Sequence, residues 1–196
     1  MISAAEILEQ AIRATTFVVV DVETTGLSPR DGGITEIAMF KVRNGLIWDE
    51  YTTLVDPLIP IPDEITVLTG IDDAMVAGAP TAKEVAVPIA EFLGDGVFTA
   101  HNAPFDLGFV NSTLAKGSLD PIQNPVLCTC KLARRLLPNL QSKSLGPVTR
   151  ALGVKNSSRH RAAGDAYATA QVLIRFLNRL EDEFEVTDVK GLMKFQ

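Results

Sequence analysis

The stretch Phe17-Val18-Val19-Val20-Asp21-Val22-Glu23-Thr24-Thr25-Gly26 constrains this chain more than any other. Its first four residues are aromatic or β-branched, the pattern of a strand covered on both faces, and Gly26 marks where that strand stops. Asp21 and Glu23 are two apart, so on a strand their side chains leave the same face. Adjacent carboxylates repel one another and resist desolvation. A divalent cation such as Mg²⁺ or Mn²⁺ between them resolves the conflict, because hard oxygen ligands suit those ions. One inward and one solvated carboxylate at a strand end resolves it equally well.

The rest of the chain predicts an α/β fold. Ser3 and Glu6 form a capping-box pattern ahead of a helix over 3–14. Strands over 34–42 and 46–55 flank Asn44-Gly45, a strong hairpin signal because both positions tolerate positive φ. A short helical turn over 63–68 and a helix over 81–93, capped by Thr81 and with a kink or a late start expected from Pro88, come next. Residues 97–100 read as a buried strand, and Pro104 opens the helix after it. A short strand over 126–130 and basic helices over 131–137 and 145–152 precede a polar loop over 155–161. The longest helix spans 162–180, with Ala166, Ala170, Leu173, Leu177 and Leu180 on its inner side, and a charged, weakly periodic tail ends the chain. Strands followed by strand–helix alternation give a mixed sheet flanked by helices, with sites at strand ends. The expectation is one domain over 1–196.

Charge is unevenly placed. Residues 1–106 carry a balance of −12, residues 107–164 a balance of +8 and the remainder −2. The basic block is either a footprint for a phosphate backbone or a solvated helical face. Cys128 and Cys130 match neither a zinc pair nor a disulfide framework, so free thiols in a reducing cytoplasm are expected. No apolar run is long enough to cross a bilayer, and the start lacks a secretory signal, so no membrane association is expected.

Asp106 and Asp165 each fall in the first turn of a predicted helix, where they either complement the helix dipole or add to the Asp21/Glu23 pair. His160 lies five residues before Asp165. A histidine beside a metal carboxylate is a candidate general base, since imidazole ordinarily exchanges protons near neutral pH.

Three segments carry a resemblance: Asp21-Val22-Glu23-Thr24-Thr25-Gly26, His101-Asn102-Ala103-Pro104-Phe105-Asp106 and His160-Arg161-Ala162-Ala163-Gly164-Asp165-Ala166. In order, they resemble the three exonuclease motifs of the DEDD (DnaQ-like) 3′–5′ exonuclease superfamily, in the form of its DEDDh branch. The chain also resembles the proofreading epsilon subunit of bacterial DNA polymerase III and its stand-alone relatives, over about residues 15–180; the Thr69-Gly70-Ile71 turn and Ser144-Leu145 also fit. The resemblance implies a ribonuclease H-like fold with a mixed five-stranded sheet. It implies two Mg²⁺ or Mn²⁺ ions held by Asp21, Glu23, Asp106 and Asp165, with His160 as general base. It implies release of nucleoside 5′-monophosphates from single-stranded 3′ ends, DNA being favoured over RNA.

Thr24, Thr25, Gly26, Leu27, His101, Asn102 and Phe105 would then line the terminal nucleotide, Leu27 as a wedge against the last base. For Leu27 and Phe105, core packing is the competing expectation. The basic block would become a track for the substrate backbone through some of Lys131, Arg134, Arg135, Lys143, Arg150 and Lys155. The DNA polymerase III catalytic subunit is an implied partner. About sixteen residues follow the last predicted helix, where that subunit carries its polymerase-binding extension, which favours a stand-alone enzyme or a fragment of a longer protein.

Overall fold

The computed structural model describes residues 2–156 and 160–196. Its elements in chain order are α1 (Ala4–Leu8), β1 (Phe17–Thr24), β2 (Ile34–Arg43), β3 (Leu46–Leu54), α2 (Asp63–Thr69), α3 (Asp73–Val76), α4 (Ala82–Leu93), β4 (Val97–Ala100), α5 (Ala103–Lys116), β5 (Val126–Cys128), α6 (Thr129–Leu136), α7 (Leu145–Ala151), α8 (Ala162–Phe184) and α9 (Val189–Phe195). The strands form one five-stranded sheet in the order β3-β2-β1-β4-β5. β1 runs antiparallel to β2 and parallel to β4, as the mixed-sheet expectation required.

The period of two sorts β1 between two cores. Phe17 and Val19 join Ala38, Phe40 and the buried stripe of α8 on one face. Val18, Val20 and Val22 join Ile37, Met39, α4 and α5 on the other. Asp21 and Glu23 continue the Phe17/Val19 series, so they emerge on the face covered by α8. All five predicted inner residues of α8 are buried. At Asn44 and Gly45 φ is +49° and +75°, the geometry a two-residue hairpin turn demands.

Several local expectations are corrected by tertiary contacts. The helix expected over 3–14 stops after Leu8 and gives way to a 3₁₀ turn at Ile12–Ala14. The chain must extend between them, because the Ile12 N–H donates to Thr187 C=O and the Val189 N–H to Gln10 C=O. The tail beyond α8 is likewise ordered as α9, with Asp188 capping the Gly191 N–H. The Gln196 side-chain amide bonds both the Cys128 N–H and the Val126 C=O on the outer edge of β5. β5 ends at Cys128 rather than Cys130, since Thr129 turns away to meet His101. Pro88 neither delays nor ends α4. In the polar loop expected over 155–161, residues 157–159 lie outside the described residues.

Gly117, at the end of α5, lets that helix approach α4: a Cβ there would lie 2.3 Å from the Ala86 Cβ. Gly117→Ala should cost ~1–3 kcal/mol by overpacking, a fall of roughly 3–10 °C in Tm for a chain of this size. A melt followed by circular dichroism measures it, and an unchanged Tm would refute so close an approach.

Candidate active site

Three elements bring their acids to one end of the sheet. One oxygen each from Asp21, Glu23 and Asp165 lies within 4.8 Å of the other two. β1 supplies the first pair by its alternation, and the first turn of α8 supplies the third. Asp106, in the first turn of α5, is buried beside Asp21, whose carboxyl feels its charge.

The electrostatics follow from this crowding. Burial, and then the charges of Asp106, Asp165 and Glu23, hold the Asp21 carboxyl well above the usual carboxylate range. Glu23 is pushed up to about 7, chiefly by burial and then by Asp165 and Glu36, with Arg161 opposing. Asp106 is pushed up to about 8 by burial, against the stabilising N–H groups of its own backbone and of Val22. Acceptor-only oxygens converging in a partly dry site, at a cost to their own ionisation, form a donor set that fits a hard divalent cation. Asp21, Glu23 and Asp165 would hold it, with Asp106 alongside.

Asp165 is held from both sides. It accepts from the Asn156 side-chain amide and, at 3.0 Å, from the His160 backbone N–H. His160 is half-buried and has a positive φ of 59°, a backbone state uncommon for a non-glycine residue.

A cleft of about 500 Å³ opens at the acids, lined by Asp21 and Asp165 together with Arg134, Lys143, His101 and Asn102. Of the six basic candidates, Arg134 and Lys143 therefore reach it. Arg135 instead faces the Phe195 ring. His101 is a brace as well as a lining residue. Its Nε2 is 2.7 Å from the Lys143 carbonyl, which can only accept, so Nε2 carries the proton. Burial pushes the ring's pKa down, and its Nδ1 lies 2.9 Å from the Thr129 hydroxyl.

The remaining predicted residues divide. The Thr25 N–H and hydroxyl exchange bonds with the Gly33 C=O and N–H, and the Thr24 hydroxyl donates to the Gly26 C=O, so both shape the turn after β1. Space around the Gly26 Cα is open. Leu27 is 88% exposed, which removes the core-packing expectation for it. Phe105 is half-buried against Phe109, with ring centroids 5.1 Å apart, so core packing accounts for much of it. Asn102, at φ +82°, sits exposed at the head of α5.

Sequence reasoning missed Glu36. It is a buried acid on β2, opposite Glu23 in the register, and is paired with Arg161. The available signal was one acid inside the apolar run Ile34-Thr35-Glu36-Ile37-Ala38-Met39-Phe40.

Known proteins share this chain's sequence pattern and fold. A family model described as an exonuclease (RNase_T) matches residues 18–173. DNA polymerase III subunit epsilon of Aquifex aeolicus is 35% identical over 181 residues, 92% of this chain and 90% of that protein. The PolC-type DNA polymerase III of Clostridium perfringens is 42% identical over 176 residues, covering 90% of this chain but only 12% of the polymerase. Among solved structures, Exonuclease X in complex with 5′-overhanging duplex DNA superposes with a TM-score of 0.72 at 32% identity, covering 89% of this chain and 99% of that one. Escherichia coli Exonuclease I in complex with a dT13 oligonucleotide superposes with a TM-score of 0.77 at 18% identity, over 87% of this chain and 43% of that one, a likeness of fold alone. The fold is ribonuclease H-like, and with its acids gathered at the end of β1 the chain belongs to the DnaQ-like DEDD exonucleases, on their DEDDh branch.

Proposed function

We propose that this exonuclease removes nucleoside 5′-monophosphates from the 3′ end of single-stranded DNA in the cytoplasm. The observation that carries this reading is the convergence of Asp21, Glu23 and Asp165 at a cleft that Arg134 and Lys143 also line. The site is open and offers cations for backbone phosphates beside acids for a metal centre.

In this reading Asp21, Glu23, Asp106 and Asp165 hold two divalent ions, Mg²⁺ or Mn²⁺. Bound there, such ions lower the pKa of an attacking water and stabilise the oxygen that departs. His160 takes the proton of the water as its oxygen attacks phosphorus. The bond from phosphorus to the 3′-oxygen breaks, that oxygen takes up a proton from solvent, and a shortened strand with a 3′-hydroxyl and a free 5′-monophosphate result. Arg134 and Lys143 grip the phosphates upstream of the cut. Leu27 meets the last base, and the backbone of Thr24 to Gly26, with Asn102 and Phe105, surrounds the terminal nucleotide.

The test is hydrolysis of a 5′-labelled single-stranded DNA and its RNA counterpart with Mg²⁺, Mn²⁺ or EDTA. A ladder shortening from the 3′ end, faster on DNA and absent in EDTA, is expected. A faster RNA ladder would reassign the substrate, and release of label as mononucleotide from the start would reverse the direction.

A second reading has its own support. The epsilon subunit and PolC relatives place such a segment in replicative polymerases. Here the chain would proofread within a DNA polymerase III assembly, in contact with its catalytic subunit. Co-purification with that subunit and little activity alone would favour it.

A further inference from the structure

The buried acid on β2 has a job that the exonuclease reading leaves open. A carboxylate in the interior is costly unless it is paired and hydrogen-bonded. Glu36 is both. Its Oε1 accepts from Arg161 Nη2 at 2.6 Å, and its Oε2 accepts from Arg161 Nε at 3.1 Å and from the Ala162 backbone N–H at 2.8 Å. All three donors belong to the first residues of α8. That commits three of the roughly four acceptor positions of the carboxylate to the start of the helix, while its charge still reaches Asp21 and Glu23.

The helix needs such a partner. Arg161 is the N-cap of α8 and makes no side-chain cap bond, so the orphan N–H of Ala162 is satisfied from a neighbouring strand. The planar fork of Arg161 adds direction: a bidentate pair resists rotation as well as sliding. One turn on, the Asp165 N–H donates to the Arg161 C=O, and Asp165 accepts from the His160 N–H. On the other side, Glu36 is the register partner of Glu23. A continuous path thus runs from β1 through β2 to the start of α8 and on to Asp165 and His160.

We infer that Glu36 and Arg161 form a clamp that sets the position and rotation of α8, and so determines whether Asp165 meets Asp21 and Glu23 at metal-binding distance. Both are positioning residues; neither touches substrate or metal. The inference rests on the proposed metal-dependent exonuclease site, and groups that orient metal ligands typically alter metal affinity or activity by roughly 10–100-fold.

The test uses the full chain as wild type, Glu36→Gln, Arg161→Gln and the double variant. Mn²⁺ binding is titrated by electron paramagnetic resonance without nucleic acid. Then kcat and KM are measured on single-stranded DNA at saturating Mn²⁺. Each single variant should weaken Mn²⁺ binding by roughly 10–100-fold, leave the DNA KM within about threefold, and be no better or worse than the double variant, since one clamp is broken either way.

Wild-type Mn²⁺ affinity in Glu36→Gln would overturn the clamp, as would single-variant losses that multiply in the double. A raised DNA KM with intact Mn²⁺ binding in Arg161→Gln would also overturn it, making Arg161 a phosphate grip. Glu36→Gln is isosteric; if it fails to fold, Arg161→Gln decides alone, because its side chain is 41% exposed. A wild type that binds Mn²⁺ yet leaves every DNA intact defeats the exonuclease reading and still lets the titration judge the clamp.

Discussion

Asp21→Asn is expected to reduce hydrolysis at the 3′ end by at least about 10³-fold, while raising Tm in EDTA near pH 8. The two effects have one origin. Folding raises the Asp21 carboxyl above its ordinary range by burial and by the charges of Asp106, Asp165 and Glu23. A carboxyl whose pKa is raised by folding supports the folded state below its unfolded value near 4, and that support is lost as pH climbs through the folded value. With Glu23 at about 7 and Asp106 at about 8, the metal-free protein should lose stability between about pH 4 and pH 8. Asn at position 21 removes one charge from that repulsion. A gain of roughly 3 °C corresponds to about 1 kcal/mol at this length. Near pH 5 the gain should shrink, because protons taken up by the crowded carboxyls, Glu23 and Asp106 among them, then relieve the same repulsion. Melting curves at both pH values, with and without Mn²⁺, decide the matter. A lower Tm for Asp21→Asn in EDTA near pH 8 would show that the acids are not in conflict.

His160→Ala should lower kcat by about 10²–10⁴-fold, the usual contribution of a positioned general base. It should leave Mn²⁺ binding within about threefold, because His160 supports Asp165 through its backbone N–H, which alanine retains. This separates it from Asp21→Asn, which loses binding and turnover together. Single-turnover rates beside a Mn²⁺ titration make the comparison, and added imidazole should restore part of the rate. Loss of Mn²⁺ affinity in His160→Ala would make the residue a support for the metal site instead of a base.

Legibility in the sequence followed the range of the forces involved. Asp21 and Glu23 were readable because a two-residue period places both on one face whatever surrounds the strand. The hairpin at Asn44-Gly45 and the caps at Ser3 and Thr81 were readable because their chemistry is local. Asp106 and Asp165 were visible only as helix-start acids until the motif order linked them. What escaped depends on distant partners. Ile12 pairs with a segment 175 residues away, which breaks a helix that local pattern favoured. Glu36 looked like one residue of a strand, and its partner lies 125 residues on. His101 looked like a pocket residue, and the bond that fixes its tautomer comes from Lys143, 42 residues on.

The placement of α8 across β1 and β2 has a further consequence, for folding order. Its Asp165 joins carboxylates that sit more than 140 positions earlier in the chain, so no short segment contains a working centre. Contacts of such long sequence separation form late, since the intervening loops must close first. During synthesis, a chain that has emerged only as far as α7 carries three of the four acids and lacks Asp165. Nuclease activity would therefore arise in one step, near the end of folding, and nascent chains would be harmless to the nucleic acids around them.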